Sequence, residues 1–509
     1  MTDKNQLQER MICVIPFQTG NNNSYIYDAN TGCVFASDEV INECIELHRL
    51  LPIDEVRKKL TEKYGDNEKV NSAVCFVEKM VTVKGAFYKD AVRIHEESKY
   101  INEFNAEDVK ACLYQYCMME QMVLNVTEDC NLRCKYCFFS EPYHNTRNRT
   151  KKMMTEEVAF RSLDFFFDRM REMNKVHPGK ICAITFYGGE PLVNFELIKK
   201  CVAYIKENCP IRYMLNITTN GLLFKDEIAD FLYENNFFIS VSLDGNKENH
   251  DRNRVTENGS GSFDIIYKNL KAFQNKYPHY ENIKIVSVYD YATTLMENNE
   301  FFNKENLPQI TFVNQVLGKD TNYYERFDEE MVKKFFGEYG EVLKTYIQNK
   351  KDGKLPKEYA DIMTELGTVL VLIKLGADDM KNPILPYTST CVPGTKISVA
   401  TDGKFYICEK VDCSSSIGSY KDGLDYDAIV EVIKSYNQSV TKGCSMCPLY
   451  RVCSACFSTT STENGFTKPN CAGLLEFFKS QLTLVYTILE NNPKAYEYFT
   501  GRIEWMLNK

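Results

Sequence analysis

The sequence predicts an α/β protein built around a parallel sheet, and two features of its pattern support this. Six apolar, β-rich runs alternate with helical stretches through residues 122–313, and strands that are apolar at nearly every position are typical of a parallel sheet covered by helices. Six strand–helix units in about 195 residues indicate an open or partial barrel, because a closed eightfold barrel needs roughly 250 residues. The runs are Met122–Val126, Ile181–Phe186, Tyr213–Thr218, Phe237–Leu243, Ile283–Val288 and Ile310–Val313.

The pattern divides the chain into six parts. They are an α/β unit (1–95), a mixed-charge linker (96–120), the barrel (121–320), a helical bridge (321–385), a Cys-rich region (386–475) and C-terminal helices (476–509). The first part predicts three strands (Met11–Pro16, Ser24–Asp28, Cys33–Ser37) and then three helices (Asp38–Leu51, Pro52–Tyr64, Glu68–Lys79). The barrel helices are predicted near 155–174, 194–208, 225–236, 262–277 and 294–305. The Cys-rich region has little periodic apolar pattern, so metal staples are expected to hold it.

Composition excludes several classes of protein. With 44% apolar and 26% charged residues among 509, the chain is of ordinary globular composition, which excludes disorder as its main state. The net charge of −9 argues against a large basic surface for nucleic acid. We find neither a secretory segment nor a run of about 18 apolar residues, so we expect a cytoplasmic protein without a membrane span.

Cysteine usage indicates metal chemistry. None of the 20 cysteines falls in residues 210–390, whereas eight fall in residues 391–471. In a long chain that is expected to be cytosolic, such cysteines are more often metal ligands or catalytic groups than disulfide partners.

The first cluster is Cys130, Cys134 and Cys137, spaced CxxxCxxC directly after the first barrel strand. The carboxyl end of a strand is where α/β barrels build active sites. Three thiolates can hold three irons of a 4Fe–4S cube and leave the fourth iron open for a substrate or cofactor. A zinc site with His144 as fourth ligand, or three unrelated thiols, are the alternatives.

With Tyr136 before its last cysteine, this motif resembles the signature of radical S-adenosylmethionine (SAM) enzymes. The stretch Thr185–Leu192 reads TFYGGEPL, and Gly188, Gly189 and Glu190 match the GGE of that family. The resemblance implies that this stretch holds the methionine ammonium of SAM. Glycines allow close backbone approach, and a carboxylate can receive a cationic amine.

Four further residues resemble family positions around the ribose and the methionine carboxylate of SAM. They are Asn216, Thr218, Ser242 and Arg254. The resemblance implies an enzyme in which the open iron chelates SAM and one electron cleaves its sulfur–carbon bond. The resulting 5′-deoxyadenosyl radical then abstracts a hydrogen atom from the substrate. An external donor of the flavodoxin or ferredoxin type would supply the electron.

The second cluster of cysteines lies in the C-terminal region. Its eight members are Cys391, Cys408, Cys413, Cys444, Cys447, Cys453, Cys456 and Cys471. Eight thiols can saturate two 4Fe–4S cubes, and by spacing alone two structural zinc sites are an equal alternative.

Behind a radical SAM domain, this array resembles the SPASM extension, which carries two auxiliary clusters and would bring the total to three. The resemblance implies an outer cluster held by Cys444, Cys447, Cys453 and Cys471, and an inner cluster held by Cys391, Cys408 and Cys456. Either Cys413 completes the inner cluster or that cluster keeps a site for a substrate thiolate. The last CxxC departs from the CxxxC of the usual pattern.

The N-terminal unit resembles the winged-helix leader-recognition domain of ribosomal-peptide maturases. The resemblance implies that a precursor's leader adds a strand at the Cys33–Ser37 edge and packs on the third helix. Such tethering raises the effective concentration of the segment to be modified. A structural cap or a dimerisation module is the alternative.

Together these resemblances imply a maturase of a Cys-containing precursor peptide that forms a thioether, as in sactipeptide and ranthipeptide maturases. A carbon–carbon crosslinking maturase has the same parts. A sulfatase-maturing enzyme, which forms formylglycine, shares the barrel and the array. An iron–sulfur electron carrier or a zinc-stapled binding protein is the non-enzymatic alternative. The expected partners are the precursor peptide and the electron donor, without nucleic acid or membrane.

Overall fold

The computed structural model describes residues 10–89, 101, 103–114, 120–140, 143, 148–316, 318, 321–352, 359, 363–364, 384–388, 390–411 and 416–495. Two of the candidate ligands, His144 and Cys413, lie outside the described residues. The helical bridge of 321–385 and the C-terminal helices of 476–509 are described only in part.

The N-terminal unit contains three main strands followed by three helices, as the pattern predicts. Its elements are β1 Met11–Ile12, β2 Val14–Gln18, β3 Ser24–Asp28, β4 Val34–Ala36, α1 Glu39–His48, α2 Ile53–Tyr64, α3 Glu68–Lys84 and β5 Tyr88–Lys89. Strands β2, β3 and β4 form an antiparallel sheet, and β1 pairs with β5. Asp38 begins α1, because its carboxylate accepts hydrogen bonds from the N–H groups of Val40 and Ile41.

A helix that the sequence does not predict, α4 (Ala106–Tyr114), lies within the expected linker 96–120. It buries Val109, Cys112 and Leu113. Nine residues are too few for a helical period to be detected in a stretch of mixed charge.

The barrel is confirmed as an α/β arrangement with a parallel sheet. Its strands are β6 Gln121–Thr127, β7 Ile181–Gly188, β8 Arg212–Thr219, β9 Phe238–Ser242, β10 Ile283–Tyr289 and β11 Ile310–Gln315. Its helices are α5 Glu156–Val176, α6 Phe195–Asn208, α7 Asp226–Glu234, α8 Lys247–Asn253, α9 Phe263–Lys276 and α10 Leu295–Lys304. Only α8 is absent from the pattern-based prediction. The strands follow one another in the sheet as β6-β7-β8-β9-β10-β11, all parallel.

Alternation along the strands separates an apolar outer face from a polar inner face. On β8, Leu215 and Ile217 belong to the core beneath the helices, and Asn216 and Thr218 therefore face the other side of the sheet. The inner face thus offers polar side chains to whatever occupies the barrel.

The C-terminal region continues the barrel sheet. After α11 (Glu329–Lys351), its elements are β12 Lys396–Val399, β13 Lys404–Tyr406, β14 Gly418–Ser419, β15 Gly423–Leu424, α12 Tyr426–Tyr436, α13 Phe457–Thr460, β16 Ser461–Thr462, β17 Gly465–Phe466 and α14 Cys471–Asn491. Strand β12 pairs in parallel with β6, so ten strands form one sheet in the order β11-β10-β9-β8-β7-β6-β12-β13-β14-β15. The barrel is therefore open, and the Cys-rich region occupies its β6 side.

The expectation that the Cys-rich region lacks apolar periodicity is wrong for α12. This helix buries Ile429, Val430, Val432 and Ile433 and packs against α4. The strands of this region are only two to four residues long, which is too short for a visible alternation.

The N-terminal sheet lies between two apolar clusters. Ile26 and Phe35 face the unit's own helices, whereas Tyr25 and Tyr27 face a cluster that includes Leu449 of the C-terminal region. Cys444, Cys447 and Cys453 pack against this second cluster. The N-terminal unit is therefore docked on the loop that carries these cysteines.

Helix α14 fixes this docking from the other side. Near its end, the Glu490 carboxylate accepts hydrogen bonds from Thr19 Oγ1 (3.0 Å), Asn21 Nδ2 (2.7 Å) and Tyr25 OH (2.9 Å). In addition, Thr483 Oγ1 donates to the carbonyl of Gln18 at 2.9 Å. The edge of β2 thus lies against α14. None of the helices in the described ranges has the length and apolar character that crossing a membrane requires.

Candidate active site

The cysteine loop leaves the carboxyl end of β6, as predicted. Cys130, Cys134 and Cys137 are all partly buried there. The last residue of α8 and the residues after it hold the loop's backbone, since Arg133 N donates to Val255 O at 2.6 Å and Lys135 N donates to Asn253 O at 3.0 Å. The sequence does not reveal this support, because α8 is not predicted.

The three thiols influence one another electrostatically. Burial raises the pKa of Cys130 to about 12, with contributions from Glu190 and Cys134. Burial also raises the pKa of Cys134 to about 11, with Cys137 contributing. Three neighbouring thiols that resist ionisation fit a site whose thiolates form only when metal binds.

Two glycines pack directly against the cysteine loop. A Cβ on Gly188 would lie 2.2 Å from the carbonyl oxygen of Thr127, and a Cβ on Gly189 would lie 2.2 Å from that of Asp129. Gly188 also has φ +137, which side chains disfavour. Backbone hydrogen bonds of 2.9 Å run from Gly189 N to Thr127 O and from Glu190 N to Asp129 O. The GGE stretch and the cysteine loop are therefore one backbone unit.

Glu190 is buried between the ends of β7 and β8. Its carboxylate accepts hydrogen bonds from Leu192 N (3.1 Å), Thr219 Oγ1 (2.8 Å) and Asn220 N (2.7 Å). Burial raises its pKa to about 7, although these hydrogen bonds and Arg254 oppose the shift. Glu190 thus joins two strand ends, a task that the sequence analysis does not assign to it.

Asn220 is a residue that sequence reasoning misses. Its amide nitrogen donates to Asn131 Oδ1 at 2.7 Å and lies 3.8 Å from the sulfur of Cys130. Its position in an Asn-Gly pair directly after a barrel strand is the signal that could have identified it.

The predicted residues Tyr136 and Arg254 meet in one buried group. Arg254 Nη1 donates to the Tyr136 hydroxyl at 2.7 Å, the Tyr136 hydroxyl donates to the Asp244 carboxylate, and Arg254 lies 4.0 Å from Asp244. In the described part of the chain, the buried Nε of Arg254 has no hydrogen-bond partner. A fixed guanidinium with a spare donor suits a carboxylate ligand.

The other predicted SAM contacts lie on neighbouring strands. Ser242 is the last residue of β9. Asn216 lies lower on β8 and donates to Thr185 Oγ1 at 3.3 Å. At the end of β8, Thr219 and Asn220 rather than Asn216 contact the GGE stretch.

The C-terminal thiols form two neighbourhoods. Burial raises the pKa of Cys444 to about 12, and the thiols of Cys447, Cys453 and Cys471 contribute. Burial also raises the pKa of Cys391, with Cys456 contributing. Lys396 interacts with both Cys391 and Cys408 and forms a 2.6 Å ion pair with Glu409.

Each of these thiol–thiol interactions lies within one of the two ligand sets that the SPASM resemblance implies, and the assignment of the ligands stays a prediction. Within the described residues, no three His, Cys, Asp or Glu side chains are arranged to hold a single metal ion.

Comparison with known proteins identifies the domain. Residues 124–290 match the family model of the Radical SAM superfamily, so the chain contains a radical SAM domain and the prediction of an enzyme is confirmed. A domain of this family implies SAM and a 4Fe–4S cluster as cofactors.

Among relatives, a cysteine-type anaerobic sulfatase-maturating enzyme of Clostridium novyi (strain NT) is 30% identical over 198 residues, covering 38% of this chain and 50% of that protein. A radical SAM cyclopropyl synthase of Paramaledivibacter caminithermalis is 25% identical over 313 residues, covering 58% of this chain and 62% of that protein. The chain thus spans between half and two thirds of the length of these two curated relatives.

The fold itself is similar to a solved structure, native anSMEcpe with bound AdoMet and Cp18Cys peptide. The TM-score is 0.55 at 20% identity, and the match covers 73% of this chain and 99% of that chain. At this identity the likeness concerns the fold.

We expect Gly189→Ala to disturb the cysteine loop, because the added Cβ meets the backbone of Asp129 rather than a movable side chain. The free energy of unfolding should fall by about 1–3 kcal/mol, and less iron should be retained after anaerobic reconstitution. Gly337→Ala is the matched control, since it lies within α11 and a Cβ there has no heavy atom within 4 Å. Equal unfolding curves and iron contents for the two variants would contradict the packing argument.

Glu190 should make the stability of the protein depend on pH. Because its pKa rises from 4.5 to about 7 on folding, the folded chain keeps a proton that the unfolded chain has released within that window. Its contribution to the free energy of unfolding should therefore decrease as pH rises through the window, by ~3 kcal/mol at most.

Glu190→Gln has no such titration. We expect the unfolding free energy of wild type minus that of the variant, measured by denaturant, to be smaller at pH 8 than at pH 5. An unchanged difference would refute the raised pKa.

Proposed function

We propose that this chain is a radical SAM maturase of a ribosomally synthesised precursor peptide and that it forms thioether crosslinks from cysteine sulfur to carbon. The observation that carries the proposal is the buried unit of three thiols, the GGE backbone and the Tyr136–Asp244–Arg254 group at the carboxyl ends of the barrel strands. Such a unit suits an enzyme that handles a reactive, oxygen-sensitive cofactor better than it suits an iron–sulfur carrier that only transfers electrons.

The donor set fits a cluster with one open iron. Cys130, Cys134 and Cys137 would hold three irons, and SAM bound at the fourth supplies hydrogen-atom abstraction from a C–H bond of the substrate. For this chain's residues we propose that Arg254 receives the carboxylate of SAM through its unpartnered Nε. Glycines 188 and 189 keep the space beside the loop free of side chains.

The remaining predicted contacts keep their proposed roles around SAM. Ser242 is proposed for the methionine carboxylate, and Asn216 and Thr218 for the ribose. Glu190 remains a proposed partner of the ammonium of SAM, and its carboxylate already accepts three hydrogen bonds from the protein. Each bond it accepts fixes its position before the ligand arrives.

Two auxiliary 4Fe–4S clusters are proposed for the C-terminal thiols. Cys444, Cys447, Cys453 and Cys471 suit the outer one, and Cys391, Cys408 and Cys456 the inner one. The neighbourhoods of these thiols in the fold support that grouping. Cys413, as an eighth ligand, stays a prediction.

The N-terminal unit is proposed to bind the leader of the precursor. Both faces of its sheet are covered, and in the described part of the chain β4 pairs with β3 alone. Ser37 N bonds to Ser24 O and Cys33 O accepts from Asp28 N, so by antiparallel alternation the N–H groups of Val34 and Ala36 point outward. These outward groups suit the addition of an extended peptide.

The crosslinking step balances as an oxidation of the peptide. The cysteine loses its S–H hydrogen, the acceptor residue loses a C–H hydrogen, and one S–C bond forms. One hydrogen atom would leave by abstraction; the other would leave as a proton, released to water, and an electron, for which the auxiliary clusters are the proposed acceptors.

Formylglycine formation is the second candidate, because the relative from Clostridium novyi is named a cysteine-type anaerobic sulfatase-maturating enzyme. Because another relative is named a radical SAM cyclopropyl synthase, carbon–carbon bond formation is retained as a variant of the peptide maturase. The N-terminal unit favours the leader-dependent maturase over formylglycine formation. The latter reaction depends on a short sequence motif at the modified residue, which does not require a separate recognition unit.

The product distinguishes these functions. After incubation with SAM and dithionite, a thioether product should lack two hydrogens and one alkylatable thiol. A carbon–carbon crosslink would retain every thiol, and formylglycine would lose sulfur and gain an aldehyde. Tandem mass spectrometry of the alkylated precursor reads all three outcomes.

Cys134→Ala is expected to release no 5′-deoxyadenosine and to leave the precursor unmodified. Cys75→Ala, at an exposed cysteine of α3, is its control and should release 5′-deoxyadenosine as wild type does. Turnover by Cys134→Ala would remove the assignment of the first cluster.

Ala36→Pro tests the leader-binding edge. Proline removes the outward N–H of an exposed residue without removing a hydrogen bond to β3. We expect the affinity for a fluorescent leader peptide to fall about tenfold, while SAM cleavage without peptide is unchanged. Ala36→Val retains the N–H and should bind like wild type. If Ala36→Pro also binds like wild type, the leader binds elsewhere.

A further inference from the structure

Asn125 is a buried amide on the inner face of β6. It is 2% exposed. Its Nδ2 donates to Ser398 Oγ at 2.9 Å and to the carbonyl of Val399 at 2.8 Å. The side chain therefore joins the barrel to the first strand of the C-terminal region.

The orientation of this amide is fixed by chemistry. The carbonyl of Val399 can only accept a hydrogen bond, so the nitrogen of Asn125 must face it and Oδ1 must face away. Within the described part of the molecule, Oδ1 has no hydrogen-bond partner. A buried carbonyl oxygen without a donor is uncommon in folded proteins and calls for an explanation.

Asn125 borders a small cavity beside the GGE stretch. The cavity is partly open and has a free volume of about 10 Å³, room for one water-sized group, and its wall includes Asn125, Thr127, Glu128, Phe139, Arg149 and Gly188. It thus lies between the cysteine loop and the strand that carries Gly188.

The Glu128 carboxylate is a second acceptor in the wall of this cavity. Glu128 Oε1 accepts from Thr401 Oγ1 at 2.6 Å, and Glu128 Oε2 accepts from Thr150 Oγ1 at 2.5 Å. Both hydroxyl donors are therefore directed at the carboxylate, so Asn125 Oδ1 is left to a donor from water or from a bound molecule. Arg149 lies at the exposed rim.

We propose that Asn125 determines specificity by accepting, through Oδ1, a hydrogen bond from an N–H group that a molecule bound in the barrel inserts into this cavity. The inference rests on the proposed function, whose two reactants both carry such a donor. One is a backbone amide of the substrate peptide, and the other is the ammonium of SAM.

The residue has a second consequence for the site. Because its nitrogen is held by Ser398 and Val399, the position of Oδ1 depends on how β12 lies against β6. A ligand that bonds to Oδ1 therefore contacts the seam between the barrel and the region that bears the candidate inner-cluster thiols.

The test compares two substitutions on opposite sides of the same amide. Asn125→Leu fills similar space but removes the acceptor, whereas Ser398→Ala removes one partner of the nitrogen while the remaining bond to the Val399 carbonyl keeps Oδ1 in place. Both are made in the full chain and reconstituted anaerobically. Iron content and far-UV circular dichroism establish that each variant folds, and Asn125→Ala replaces the leucine variant if that one does not.

Two measurements separate the two possible donors. Equilibrium dialysis gives the Kd of SAM, and steady-state kinetics give the KM of the precursor peptide. Loss of one neutral hydrogen bond should weaken binding of one reactant about three- to tenfold. A higher KM with unchanged Kd identifies the peptide, and a higher Kd identifies SAM; either result, with Ser398→Ala close to wild type, supports the proposal.

Equal effects of Asn125→Leu and Ser398→Ala would overturn it, because the amide would then act only as a link between strands. Wild-type binding of both reactants by Asn125→Leu would overturn it as well. Failure of the proposed function is distinguishable, since wild type itself would then form no thioether in the precursor.

Discussion

The rest of the active site depends on the close contact between two backbone segments, the cysteine loop after β6 and the Gly188–Glu190 turn after β7. No side chain fits between them, because even a Cβ would lie 2.2 Å from a carbonyl oxygen. This contact places Glu190 where it can bind the end of β8, and Asn220 from there reaches the loop again. Three strand ends are thereby held in one arrangement.

A second set of buried polar contacts supports the loop from the opposite side. The Tyr136–Asp244–Arg254 group combines a buried cation and a buried anion with the hydroxyl of a partly buried tyrosine. Burying charges is costly unless they are paired, so each member limits where the others can lie. A site built in this way is rigid before any ligand binds, which lowers the reorganisation that binding requires.

Most of the barrel can be predicted from the sequence because its strands are long and apolar and its helices have a clear period. The cysteine loop and the GGE stretch are local in sequence, so their spacing alone reveals them. Helices α4, α8 and α12 could not be predicted with the same rules, because they are short or lie among loop-like residues. The pairing of β12 with β6 joins residues more than 270 positions apart, and the partner of Asn125 is equally remote. Such contacts depend on how distant segments pack, which single-sequence patterns do not encode.

Helix α14 begins at Cys471 and binds the N-terminal hairpin through Glu490 near its other end. Its 21 residues correspond to a rod of about 30 Å. Under the proposed function, a leader bound at β4 is anchored to a fixed point on the enzyme. The length of the precursor segment between the anchor and the reacting residue, in addition to local side chains, then determines which positions of the precursor reach the barrel.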